Sequence, residues 1–491
     1  MTDGRAGRLG DLPPDEFRRL ARETADWVAD FLEGIDDLPV FPSVRPGALT
    51  AALPADAPEE GESMDAVLDD FRTRIVPGIN HWNHPAFFGY FAISASGPGI
   101  LGELLASALN VNAMVWRSSP AATELEDVTT AWLARMLGLP DDFEGVINDT
   151  ASSSTLYALA AAREAAYPGA HAAGLFGARP GRVYASEHAH SSVEKAVLTL
   201  GFGQDGYRTI RADPEFRMEP EALRAAIEED VAAGVVPVAV VPTLGTTSSA
   251  SLDPVAEAGE IAREHGAWLH VDAAYGGPAA IVPELRPLFA GWERADSVVV
   301  NPHKWLFTPI DCSVLYCRKP EVLRRAFSIV PAYLSSSEQS ESRSLMDYGV
   351  SLGRRFRALK LWFVLRAFGR AGLERRLRHH VELARALGRA IEETPGWELV
   401  APVHLGLVTF RFAPAGMDGR AADAANHRIL DRVNASGEAF LIHTVLDGRV
   451  SLRLSIGNLR TTESHVERAW AKLLEAAARE ASGADATPAA D

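Results

Sequence analysis

The chain has 491 residues and a formal net charge of −17. Such a length calls for two or three domains, and the acidic balance excludes nucleic acid as a partner, because phosphate binding needs a basic face. An apolar share of 47% suits a soluble chain with a sizeable core, and no apolar run approaches the length of a membrane span.

Met1-Thr2-Asp3-Gly4-Arg5 lacks the apolar stretch of a signal peptide. Cys312 and Cys317, the only two cysteines, make no disulfide framework. A reducing, cytoplasmic setting is the expectation, with no membrane partner and no metal ion.

In chain order, Pro13-Pro14-Asp15-Glu16-Phe17 opens an amphipathic helix whose apolar face carries Phe17, Leu20, Ala21, Thr24, Trp27, Val28 and Phe31. The prolines 39, 42, 46, 54 and 58 mark an extended segment, and a second short helix spans 64–75. This region, 1–95, has little core of its own and reads as an arm that packs on something else. From 96 to about 370 the pattern alternates between helices and apolar strands at 182–185, 235–241, 267–272 and 296–300. That alternation predicts an α/β domain with a mostly parallel sheet covered on both faces. A long helical tract, broken near Gly369–Gly372, leads to a small α/β domain over 371–481 with an antiparallel sheet. The Ala/Ser/Gly/Asp-rich end, 482–491, reads as a disordered tail.

Two strand ends carry the chemistry. Asp272 closes Trp268-Leu269-His270-Val271-Asp272, and Lys304 follows Ser297-Val298-Val299-Val300 within Asn301-Pro302-His303-Lys304-Trp305. Ligands of parallel sheets bind beyond such carboxyl ends. A lysine amine that forms a Schiff base with an aldehyde, and an aspartate that holds a pyridine nitrogen protonated, are what pyridoxal phosphate (PLP) requires. A lysine at a strand end is ordinarily a surface residue, and an aspartate there a cap. The Pro, His and Trp around Lys304 are not solvent-facing company. His190, in a loop after a strand, is either a helix-start residue or a ring stacked on the pyridine face. Aminotransferases of similar architecture more often place Trp, Tyr or Phe there, so His190 tilts the reading toward decarboxylation; neighbouring His188 is left without a role. Phosphate donors are sought at Thr150-Ala151-Ser152-Ser153, which begins a helix, in Thr246-Thr247-Ser248-Ser249, and at Asn301. A serine-rich helix start is also an ordinary cap.

Together, NPHKW, HVDAAY, AHSSVEKA, TLGTT, SPAATELE and LGRRFRALKLWFVLRAFG make the chain, over roughly 17–480, resemble the group II PLP-dependent decarboxylases, in particular the aromatic-L-amino-acid decarboxylases. The resemblance implies the aspartate-aminotransferase type of fold (PLP fold type I): an arm packing on the partner subunit, a large PLP domain and a small C-terminal domain, assembled as a homodimer with a shared active site. It implies Lys304 as the Schiff-base lysine, Asp272 at the pyridine nitrogen, His190 stacked on the ring, Ala274 beneath it, and Thr150, Ala151, Thr247 and Asn301 around phosphate and ring. His303 would neighbour the amino-acid substrate. Tyr333 matches a loop tyrosine that returns a proton to Cα after CO2 leaves; the small, polar residues around it suit a lid. Relatives with phenylalanine there tend to act as oxidative aldehyde synthases.

The substrate pocket would draw on Trp82, Tyr90, Phe91, Asn112, Met114, His303 and Gly353. Departures from the family pattern are Asn148-Asp149 in place of a glycine-containing turn, Ala92-Ile93 after the aromatic pair, and Asn112, Met114 and Arg117. Gly353 is the variant associated with indole-sized substrates. The reaction implied is decarboxylation of tryptophan, 5-hydroxytryptophan, DOPA, tyrosine or phenylalanine. The alternatives are a specialised non-aromatic amino acid, an aldehyde synthase, or an aminotransferase using Arg453 for the α-carboxylate. A cofactor-free binding homologue is the outlying case.

Overall fold

The structure is a computed structural model that describes residues 11–329 and 343–482. Its main sheet has seven strands: β1 (Glu144–Asn148), β2 (Gly181–Ser186), β3 (Tyr207–Ile210), β4 (Val236–Val241), β5 (Trp268–Asp272), β6 (Ser297–Val300) and β7 (Ser313–Cys317). Their spatial order is β1-β7-β6-β5-β4-β2-β3. Neighbours from β6 across to β3 are parallel, and only β7 runs against the strands beside it.

Alternate residues of each strand enter two different cores, as the pleat requires. Val146, Val183, Ala239 and Val241 pack under the helices Ala151–Ala166 and Ser192–Thr199. Ile147, Tyr184, Val240, Val271, Val298 and Val300 face the helices Pro120–Leu137, Val255–Glu264 and Arg357–Glu392. Both faces being dry explains why the strands read as unbroken apolar runs. Strands β1 and β3 lack that signature. Tyr207-Arg208-Thr209-Ile210 is a half-polar edge strand, and β1 is five residues beginning with glutamate.

The second sheet is antiparallel: β8 (Trp397–Leu399), β9 (Leu407–Phe412), β10 (Ile442–Leu446) and β11 (Arg449–Ser455), in the order β10-β11-β9-β8. The β10–β11 hairpin closes on Asp447 and Gly448, both with positive φ (49° and 70°), the turn that matches strand twist. Helix Arg357–Glu392 links the two sheets and is interrupted at Gly369 (φ 61°, ψ 171°), where the sequence pattern places the break.

The N-terminal helix Pro14–Glu33 forms as expected, but of its apolar stripe only Leu20 is buried, and Phe17 is 60% exposed. Trp27 stacks on Phe31 and meets Phe71 edge-on. The rest of the expected arm packs differently. Val40, Ala86, Phe87 and Phe88 lie in the core of the C-terminal domain of their own chain, with Val40 N–H donating to Gly437 O and Phe88 N–H to Phe440 O. Among the described residues no helix is long and apolar enough to cross a membrane.

Candidate active site

The loops that leave β1, β2, β4, β5 and β6 meet at the carboxyl edge of the sheet around a cavity of about 180 Å3. It gathers Phe91, Thr150, Ala151, His190, Thr247, Asp272, Ala274, Asn301, His303 and Lys304, each a candidate from the sequence. Ser152, Ser192, Thr243, Gly245 and Tyr275 line it as well; they lie in the same sequence motifs as the candidates, which do not single them out. Beyond His190 and Thr247 lies an open polar cleft bordered by Glu187, His188, Asp447 and Gly448. His188 therefore sits at the rim, its ring edge-on to Phe216.

Lys304 stands on the short helical turn Pro302–Trp305 that follows β6. Its Nζ is 5.2 Å from the centre of the Phe91 ring. Burial draws the amine pKa below its ordinary value, against the opposing charge of Asp272. Asp272 ends β5, and its Oδ1 accepts the Ala274 N–H at 3.1 Å. Its backbone is clamped on both sides, N–H to Pro242 O and C=O from Leu244 N–H.

Behind this clamp, buried Asp253 accepts the N–H groups of Thr243 and Met218, each at 2.7 Å. Burial pushes its carboxyl up to about 7 despite those two donors. Gly245 adds a steric requirement. At φ 99° a Cβ there would sit 2.9 Å from the Tyr275 ring.

His190 has a defined tautomer. Its Nδ1 accepts the Ser192 N–H at 3.2 Å and pairs with Ser192 Oγ at 2.8 Å, so the ring proton belongs on Nε2. Burial lowers its pKa, with Asp272 opposing and Lys304 and Lys195 reinforcing; the ring is neutral near pH 7. Thr150 caps the helix Ala151–Ala166, which brings the positive end of that helix to the cavity. Asp149, the unexpected acid, is turned back onto its own chain and accepts the Thr150 N–H at 2.7 Å.

The remaining candidates lie elsewhere. Trp82 stacks on Tyr90 (5.4 Å), which is half exposed and has positive φ. Asn112, Met114 and Gly353 do not line the cavity of their own chain. Asn112 and Gly353 are exposed, and Asn112 Oδ1 accepts the Arg354 N–H at 2.9 Å. Arg117 is exposed beside them. Arg453 on β11 is buried with its guanidinium 5.4 Å from the Phe91 ring. Tyr333 lies outside the described residues.

Residues 46–413 match the model of the pyridoxal-dependent decarboxylase conserved domain. The chain belongs to the pyridoxal-dependent decarboxylase family. This decarboxylase is 42% identical to the aromatic-L-amino-acid decarboxylase of Bos taurus, over 94% of this chain and 96% of that one. It is 38% identical to a phenylacetaldehyde synthase of Arabidopsis thaliana, covering 97% and 99% of the two chains. The structure of Oryza sativa TDC with PLP and tryptamine superimposes with a TM-score of 0.93 at 36% identity, over 96% of this chain and 99% of that one.

The cavity of this decarboxylase has the chemistry PLP needs. An amine, a carboxylate and a helix N-terminus converge on it, and its lining residues include buried polar atoms without protein partners, among them Asn301 Oδ1 and Thr243 Oγ1. PLP is its cofactor. Bound PLP supplies an electron-accepting pyridinium ring that takes up the electron pair left when a bond to Cα breaks.

Proposed function

We propose that the protein converts an aromatic L-amino acid to its amine and CO2. Within the cavity, Lys304 holds the cofactor aldehyde and Asp272 pairs with the pyridine nitrogen. The helix end at Thr150–Ala151, together with Thr247 and Asn301, receives the phosphate. His190 and Ala274, which both line the cavity, would hold the ring. The observation that carries this reading is the meeting of Lys304, Asp272 and neutral His190 in one cavity, beyond the carboxyl ends of β6, β5 and β2.

Each residue has a distinct task. Burial lowers the pKa of the Lys304 amine, which favours its neutral, nucleophilic form. Asp272, held by the Ala274 N–H, stabilises positive charge at the ring nitrogen. The Nε2–H of His190, a residue that lines the cavity, is suited to a hydrogen bond with the substrate carboxylate. Tyr333 donates the proton that replaces CO2 at Cα. The apolar ring of Phe91, which lines the cavity, favours an aromatic side chain, as do the substrates for which the relatives are named.

The working form proposed is a homodimer. Helix Gly97–Leu109 leaves Leu101, Leu104, Leu105 and Leu109 exposed, and Ile310, Val350 and Leu352 are exposed as well. Four exposed leucines on one face of a helix suit an interaction surface. Asn112, Met114 and Gly353 would reach the partner's cavity from it. Free, buried Cys312 and Cys317 fit a reducing cytoplasm. The 38% identity to a phenylacetaldehyde synthase favours one second reading, oxidative aldehyde formation.

The test is an amino-acid panel with the PLP-loaded protein, read by mass spectrometry for amine, aldehyde and CO2. It is joined to borohydride reduction and peptide mapping. Amine with CO2 from an aromatic substrate, and the reduced pyridoxyl group on Lys304, are the expected results. Aldehyde with peroxide establishes the second reading, and a label on another residue overturns the site.

A further inference from the structure

His303 and Asn301 stand two residues apart on the turn after β6, and both are buried, at 5% and 1% exposure. The imidazole is anchored from behind. Cys312 N–H donates to His303 Nδ1 at 2.8 Å, while His303 N–H donates to Cys312 O. A backbone N–H can only donate, so Nδ1 must be the acceptor and the ring proton must sit on Nε2. Burial holds the imidazole pKa down to about 4, so no second ring proton is present at neutral pH.

His303 Nε2 lies 3.2 Å from the terminal amide of Asn301. With Nδ2 toward the ring, two donors face each other and Oδ1 is left buried without a partner. The two ends of an asparagine amide have the same shape, and their orientation follows from the hydrogen bonds around them. Exchanging them resolves both faults: Nε2–H donates to Oδ1, and the NH2 group takes the unpartnered position in a residue that lines the cavity.

We propose that His303 is a positioning residue: its Nε2–H holds the Asn301 carbonyl oxygen and so turns the Asn301 NH2 into the cavity, as a donor to an anionic oxygen of the cofactor. This rests on the reading of the cavity as the PLP site. It gives His303 a function toward the cofactor, exerted through Asn301, in place of direct contact with the substrate. An amide free to rotate would present its carbonyl to the anion as readily as its NH2. The imidazole removes that choice.

The experiment is a spectrophotometric titration of apoenzyme with PLP and, separately, with pyridoxal, which lacks the phosphate. It compares Asn301→Ala, His303→Leu, the double variant and His303→Gln. A lost hydrogen bond to an anion weakens PLP binding by roughly tenfold or more in each of Asn301→Ala and His303→Leu. The double variant is expected to bind no more weakly than Asn301→Ala alone. His303→Gln, whose amide can accept from Cys312 and donate to Asn301, restores most of the affinity. A loss seen with PLP and not with pyridoxal assigns the anion to the phosphate; an equal loss with both assigns it to the ring oxygen.

Additive losses in the double variant, or His303→Gln as weak as His303→Leu, would overturn the proposal. Because His303→Leu could fail to fold, neutron diffraction from the wild-type holoenzyme provides an independent measurement: deuterons of the Asn301 amide pointing at the imidazole refute it, and pointing into the cavity support it. Failure of the underlying site reading looks different, since the borohydride label would then lie away from Lys304.

Discussion

Arg354 and Glu126 form an ion pair with side chains only 7% and 2% exposed. One guanidinium nitrogen, Nη2, reaches Glu126 Oε1 at 2.8 Å and Ile147 O at 2.9 Å, and the same carboxylate oxygen accepts the Ile147 N–H at 2.8 Å. The pair closes around β1 one residue before the strand ends, just ahead of the Asp149–Thr150 turn that opens the cavity. Arg354→Met leaves a buried carboxylate without its cation, which costs about 3–5 kcal/mol. Glu126→Gln keeps the acceptor for Ile147 N–H but strands the guanidinium, at a similar cost of roughly 3 kcal/mol.

The double variant E126Q/R354M contains no buried charge and loses one donor to Ile147 O, so its deficit is about 1–2 kcal/mol. The two changes should therefore couple by at least about 2 kcal/mol. Urea unfolding of the apoenzyme, followed by tryptophan fluorescence, measures all three. If Arg354→Met costs less than about 1 kcal/mol, or the double variant equals the sum of the singles, the buried charges are not what holds this corner.

Three further outcomes can be checked. His84, His270, His303 and His380 are buried and have pKa values held down to about 4, 4, 4 and 3. The unfolded chain takes up their protons first. Their contribution to stability is complete above pH 6.5 and is lost as pH falls toward 4, at roughly 1–2 kcal/mol per imidazole by pH 5; a flat stability profile between pH 7 and 5 contradicts this. A Cβ added at Gly353 meets nothing nearer than Asn112 Nδ2 at 4.0 Å, so Gly353→Ser should fold normally. It should shift kcat/KM away from tryptophan toward tyrosine by roughly tenfold, and an unchanged ratio would remove Gly353 from the pocket. Leu104→Glu with Leu105→Glu should halve the mass in sedimentation and abolish activity, whereas a variant that stays dimeric and active would move the interface elsewhere.

Much of this is legible in the sequence because parallel-sheet chemistry is written at strand ends. Asp272, Asn301 and Lys304 follow apolar runs directly, and Thr150, His190 and Thr247 lie in the loops that leave three other strands of the same edge. What stays illegible depends on contacts distant in sequence. Asp253 precedes a proline and a helix and reads as an ordinary turn acid, yet it is the buried acceptor that joins Thr243, 10 positions before it, to Met218, 35 positions before it. Arg354 finds Glu126 across 228 positions. Arg354 sits in a run of basic residues that reads as a solvated face, and Glu126 in an amphipathic helix whose other acids are more exposed. Likewise Val40 and Phe87 carry no mark that their core belongs to the C-terminal domain, since an extended Pro-rich segment is indifferent to which surface it crosses.

The division among the pocket residues has a structural consequence. Those proposed to bear on the reacting bond (Lys304, Asp272, His190) converge in one chain's cavity, backed by β5 and β6 and by the Asp253 clamp. Those expected to sense the substrate side chain (Asn112, Met114, Gly353) sit together on a different surface, joined through the hydrogen bond from Arg354 to Asn112. A set that faced its own chain's cavity would be expected to line it, and this one does not. On the proposal that the working form is a homodimer, one subunit would supply selectivity to the chemistry of the other, and the backbone of Arg354, which donates to Asn112, is held in place by the buried pair with Glu126. On this proposal the departures at Asn112 and Met114 would alter which side chain is accepted while leaving the proposed catalytic residues in place, because among the described residues the hydrogen bonds of Asn112 and Met114 lead to Ser118, Met346, Arg354 and each other, and not to Lys304 or Asp272.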